Sequence, residues 1–157
     1  LPELPNSLEK LSCQNNKLIQ LLKLPDSLKI LKCEFNNLTK LPKLHNSLNF
    51  LNCSNNNLNS LPKLPNSLGY LDCNNNNLSQ LPKINNKLKK LYCNNNNISY
   101  LPKLPDSLEV LDCDYNNLPY NNLDEYKNYI NKHKDLIEEY GYNEAMEILS
   151  NTNKFNL

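Results

Sequence analysis

A chain of 157 residues and 18.2 kDa, with 17 basic against 16 acidic side chains, has room for one ordinary core. Its near-zero net charge exerts no general pull on nucleic acid or anionic membrane. Its apolar runs are two or three residues long, which excludes a membrane-spanning helix and a secretory signal core. Two oddities remain. Every one of the 17 cations is Lys, and 33 residues are Asn, with a mean hydropathy of −0.67. Taken without their order, those numbers fit a disordered Asn-rich segment, and the six cysteines fit a disulfide scaffold. Spacing decides against both.

The chain keeps a 20-residue beat. Cysteines stand at Cys13, Cys33, Cys53, Cys73, Cys93 and Cys113. Five and two residues before each is a Leu, as Leu28 and Leu31 precede Cys33; three after is an Asn, as Asn36; five after is Leu or Ile, as Leu38. The unit L-x-x-L-x-C-x-x-N-x-L resembles the leucine-rich repeat, with Cys in its sixth position. It runs from residue 1 to about 119 without an insertion. One unit is too small to bury its own leucines, so neighbours must stack into a continuous core. Alternation in the L-x-C stretch turns Leu31 and Cys33 inward and Lys32 and Glu34 outward. The recurring Asn lies where the chain leaves the strand, and its amide is placed to bond unpaired backbone groups.

The other half of each unit reads L-P-K-L-P-N/D-S, as in 61–67 and 101–107. Two prolines three apart exclude a helix and favour polyproline II. The expected fold class is an α/β-type repeat solenoid with a parallel sheet on the concave face, a polyproline II or extended convex face, and a C-terminal helical cap. The L-P-x-L-P variant at a 20-residue period is similar to the repeats of type III-secreted leucine-rich effectors of enteric bacteria. Those carry an aliphatic residue where this chain has Cys. The Asn/Lys-rich, Arg-free texture resembles the leucine-rich repeat proteins of mimivirus-type giant DNA viruses. Some members of the effector family carry a separate ubiquitin-ligase domain, and no segment of this chain matches one.

After Leu118 and Pro119 the beat stops. Leu123, Tyr126, Ile130, His133, Ile137 and Tyr140 recur at helical spacing, predicting one amphipathic helix that Asn122 caps and Gly141 ends. A short second helix is expected over 143–150. Residues 1–119 thus read as the solenoid and 120–157 as a cap covering its last turn. At the other end the chain begins in mid-repeat without Met, which reads as a piece of something longer or a processed form.

No catalytic or metal site is expected. Cysteines on adjacent parallel strands have parallel Cβ vectors, which do not suit a disulfide dihedral near ±90°. Packing as small buried hydrophobes fits them better. There is no C-x-x-C pair, and His45 and His133 are the only histidines. Two glycines, Gly69 and Gly141, cannot build a phosphate loop, and no cofactor is called for. Reduced thiols point to a cytoplasmic location, the host cytoplasm for a viral or effector protein.

What folding leaves free is the outer face of the sheet. One column, three before each Cys, holds Ile30, Phe50, Tyr70, Lys90 and Val110 after Lys10. The next, one before, holds Lys32, Asp72, Tyr92 and Asp112, and Phe35 and Tyr115 flank the face. Aromatic and apolar residues gathered in one exposed column mark an interaction site. These eleven side chains are the candidate binding set for a protein partner, a host protein for an effector. The expected function is a non-catalytic protein-binding module. The alternatives are the substrate-targeting arm of a larger enzyme such as a ubiquitin ligase, or a self-assembling viral component stacking end to end rather than a monomer. Neither nucleic acid nor membrane is expected as partner.

Overall fold

The computed structural model describes residues 2–154. Six three-residue strands, β1 (Lys10–Ser12), β2 (Ile30–Lys32), β3 (Phe50–Asn52), β4 (Tyr70–Asp72), β5 (Lys90–Tyr92) and β6 (Val110–Asp112), form one parallel sheet in sequence order. The register follows the sequence period: Lys10 pairs with Ile30, Leu51 with Leu71 and Tyr92 with Asp112. Only the central Leu of each strand is buried, so the residues on either side face solvent on the concave surface. The convex segments contain neither helix nor strand, as the paired prolines require.

The core is a column of copies. Leu31 and Cys33 come from the sheet, Leu38 follows the strand, and Leu41 and Leu44 come from the convex side; their counterparts in later turns are buried alike, except that Leu118 in the last turn is only partly buried. A polar rung runs beside them. Asn56 donates from Nδ2 to the carbonyls of Cys33 at 3.0 Å and Cys53 at 3.1 Å. Its Oδ1 accepts the Leu38 N–H at 2.9 Å. Asn36, Asn76, Asn96 and Asn116 repeat the pattern, so each amide ties its own turn to the preceding one. These are buried backbone groups with no strand partner, and leaving one unpaired costs about 1–3 kcal/mol.

A second ladder serves the convex turn. Ser27, Ser47, Ser67 and Ser107 donate to the carbonyls of Leu8, Leu28, Leu48 and Leu88, one turn back. The fifth repeat has Lys87 in the serine position and Asn85 in place of the second proline. There Asn85 Nδ2 donates to the Leu68 carbonyl at 3.1 Å and to Pro65 at 2.9 Å. The two departures from the repeat compensate each other.

At the C-terminal end Asn121 takes the place of a further strand. Its carbonyl accepts the Cys113 N–H at 3.0 Å, and Asn122 bridges Asp112 in the antiparallel sense. Helix α1 (Leu123–Lys132) then starts at Asn122, whose Oδ1 accepts from the N–H groups of Asp124 and Glu125. The single helix expected to Tyr140 is two. The chain breaks at His133, at φ −108° and ψ 22°, before α2 (Lys134–Tyr140). The break lets α1 lie against β6 while α2 pairs with α3 (Tyr142–Lys154), which one straight apolar stripe cannot do. Gly141 ends α2 with φ 76°, and α3 is longer than the short helix expected.

Candidate functional site

The six thiols are free and buried. Burial pushes every one of them above its usual value, Cys113 to about 12. A thiol held protonated is neither a nucleophile nor a metal ligand at neutral pH. Among the described residues no group of three His, Cys, Asp or Glu is placed to hold a metal, and no helix is long and apolar enough to cross a membrane.

The concave face is where the non-repeating residues meet. The pleat places Ile30, Phe50, Tyr70, Lys90 and Val110 side by side, each paired in register with the next. The neighbouring column sets Lys32, Asn52, Asp72, Tyr92 and Asp112 in the same order. The aromatic rings touch: Phe50 stacks on Tyr70 with centroids 4.2 Å apart and planes 8° from parallel. Tyr92, on the diagonal, lies 5.6 Å from Tyr70 at 43°. Lys32 Nζ sits over the Phe50 ring, 5.7 Å from its centroid. Three of the candidate residues thus form one half-buried platform across β3, β4 and β5, with a cation already resting on one end.

Charge on this face is uneven. Lys10, Lys32 and Glu34 lie at β1 and β2, whereas Asp72, Asp112 and Asp114 outnumber Lys90 from β4 to β6. The Asp72 carboxyl is held above its usual value, first by burial and then by Glu34 and Asp112; the Asn74 N–H, 3.1 Å from Oδ1, opposes the shift. Burial and Asp72 together push the Tyr70 hydroxyl up. Glu34 and Asp114, one residue after Cys33 and Cys113, were not among the residues singled out from sequence. Glu34 has a buried carboxylate oxygen with no hydrogen-bond partner. The acidity of Glu34 and Asp114, in a column otherwise made of amides and Ser54, is the signal that marks them.

Phe35 and Tyr115 stand apart from the platform, on the rim. They are 53% and 78% exposed. Their backbone is the surprise: position two after Cys has φ between 51° and 56° in all six repeats, and Asn occupies it in the other four. Asn tolerates the left-handed region because its short side chain bonds locally, whereas an aromatic residue there is strained.

The geometry can now be set beside known structures. YopM from Yersinia enterocolitica WA-314 superposes with a TM-score of 0.74 at 38% identity, over 75% of this chain and 26% of that one. A Shigella effector leucine-rich repeat domain gives 0.69 at 33% identity, over 71% and 51%. The chain has the leucine-rich repeat fold. YopM, a leucine-rich effector protein from Yersinia pestis, gives 0.59 at 36% identity, over 76% and 41%. This leucine-rich repeat chain therefore spans from about a quarter to about half the length of those chains. No family model matches it, and neither does any curated protein sequence. The likeness to effector repeats expected from the L-P-x-L-P spacing holds at the level of the coordinates.

Proposed function

We propose that the chain is a non-catalytic protein-binding module that holds its partner on the concave face. The observation that carries this reading is the contiguous platform of Phe50, Tyr70 and Tyr92. The repeat requires none of the three: the same positions hold Lys10, Lys90, Ser12 and Asn52 in other turns, with the fold unchanged. Large aromatic side chains on preordered strands offer much contact area at little entropic cost, the usual character of binding hot spots. Burial that holds the thiols protonated weighs against chemistry at the cysteines, as does the finding that, among the described residues, no group of three His, Cys, Asp or Glu is placed to hold a metal.

The test is affinity capture from a cell extract with three forms of the protein: unaltered, Phe50→Ala with Tyr70→Ala, and the convex control Lys63→Ala with Lys83→Ala. A captured protein that binds the first and third forms and loses roughly tenfold or more in affinity for the second supports the reading. Equal binding to the concave double variant, with its melting temperature retained, would rule this face out.

A further inference from the structure

The concave face carries one motif that platform area does not explain. In register across β4, β5 and β6 stand Asp72, Tyr92 and Asp112, a carboxylate on each side of an aromatic ring. Strands are about 4.8 Å apart, so the two aspartate Cα atoms lie roughly 10 Å from each other with the ring between them. No Lys neutralises either carboxylate: among the described residues the ion pairs are Lys29–Glu9, His45–Asp26, Lys89–Glu109 and Lys134–Glu138. Lys90, on the same strand as Tyr92, is exposed and within ion-pair distance of neither. Asp72 accepts one hydrogen bond, from the Asn74 N–H, which leaves its second oxygen open. Two unneutralised, partly desolvated carboxylates at this spacing are an unfavourable arrangement for a free surface.

The same face shows how such a ring is used. At Phe50 the cation is supplied from within, by Lys32. At Tyr92 no cation is supplied from within. We infer that Tyr92, Asp72 and Asp112 form a seat for an arginine side chain presented by a protein partner, the guanidinium lying on the ring and donating to the carboxylates on either side. Arginine fits better than lysine. A guanidinium is planar, its outer nitrogens are about 2.3 Å apart, and with a hydrogen bond near 2.9 Å at each end it spans about 8 Å, close to the gap between the strands. A lysine ammonium is a point charge that reaches one carboxylate at a time. A second copy of this chain cannot supply the group, since all 17 of its cations are Lys. The occupant is therefore a different protein. This inference rests on the concave-face reading above and names the chemistry of that partner.

The experiment is a titration of the full chain, followed by amide NMR shifts, with capped Gly-Arg-Gly, Gly-Lys-Gly and Gly-citrulline-Gly peptides. The expected result is saturable shifts centred on 72, 92 and 112 with the arginine peptide. Citrulline, uncharged but of the same shape, gives none, and lysine binds several-fold more weakly. Asp72→Asn with Asp112→Asn weakens arginine binding by about tenfold, and Tyr92→Leu by about fivefold. The convex Lys63→Ala changes nothing, and unshifted amides outside the face show that each variant is folded. Arginine shifts no stronger than those of citrulline overturn the inference, as do shifts equal at exposed acids such as Glu9. If the arginine titration fails while Phe50→Ala with Tyr70→Ala still abolishes capture, only the seat is lost. If the titration succeeds while that double variant keeps its partner, only the platform is lost.

Discussion

At the scale of single residues, the position two after each cysteine separates what the repeat needs from what this chain adds. All six copies sit near φ 54°, and Asn is the residue that bears this cheaply. Phe35 and Tyr115 bear it at a cost, and their side chains are exposed, so little burial offsets it. Phe35→Asn and Tyr115→Asn should each raise stability by about 1 kcal/mol, read as an upward shift of the denaturant midpoint. A fall in stability would mean that rim packing outweighs the strain. Asp72 carries a cost of a different kind. Its folded-state carboxyl binds a proton more tightly than the unfolded chain does, because burial, Glu34 and Asp112 disfavour its charge. Stability therefore falls as pH rises from the ordinary Asp value to the raised folded one. Asp72→Asn should increase the melting temperature at pH 7 and leave it unchanged near pH 3. An equal gain at both pH values would remove the electrostatic explanation. Both features set stability against a surface property, the pattern found where a surface is kept for binding.

Single elements show which parts of the chain follow local rules. Each strand is only three residues long, and the Asn rungs complete the pairing that the strands leave unmade. That pattern was legible, since one Asn recurs at one position. The exchange of Ser for Asn85 in the fifth turn was not, because the two altered positions act on one carbonyl, Leu68, from a neighbouring turn. The cap is a similar case. Its helix spacing and its Asn122 start were readable, but the break at His133 arises from two packing demands that no local pattern encodes. Tyrosine hydroxyls anchor that cap. Tyr142 donates to the Leu101 carbonyl at 3.0 Å and meets Tyr126 at 3.1 Å, and Tyr126 accepts the Leu104 N–H. Tyr142→Phe should destabilise by about 1–2 kcal/mol. Amide exchange should accelerate in α3 before it does in β3, and uniform acceleration along the chain would contradict a cap-local role.

Across the whole molecule the thiols report the cooperativity of the stack. Each is sealed by its neighbouring turns, Cys113 by the segment of Tyr120 and Asn121 that leads into the cap, and the seal is weakest at the first: Cys13 is 5% exposed, while Cys33 to Cys113 are at 0%. With an excess of an aromatic disulfide reagent in native buffer, Cys13 should react first. The other five should appear together, and only near the unfolding transition. Rapid release of more than one thiol from the folded chain would show that the turns open independently.

The sequence alone was enough to determine the architecture, because a solenoid is specified by a period: each turn meets only its neighbours, so one repeated pattern states every core contact. It determined the buried thiols, the Asn rungs and the outward columns for the same reason. Only the tertiary structure decided how the outward columns work as a surface. Phe50 and Tyr70 are 20 residues apart, and Tyr70 and Tyr92 are 22, yet their rings stack or lean together on adjoining strands. Asp72 and Asp112 share Tyr92 only because parallel register lays one strand between them. The backbone strain under Phe35 and Tyr115 was likewise hidden, since a dihedral angle is set by the turn the chain must make and not by the side chain that occupies it.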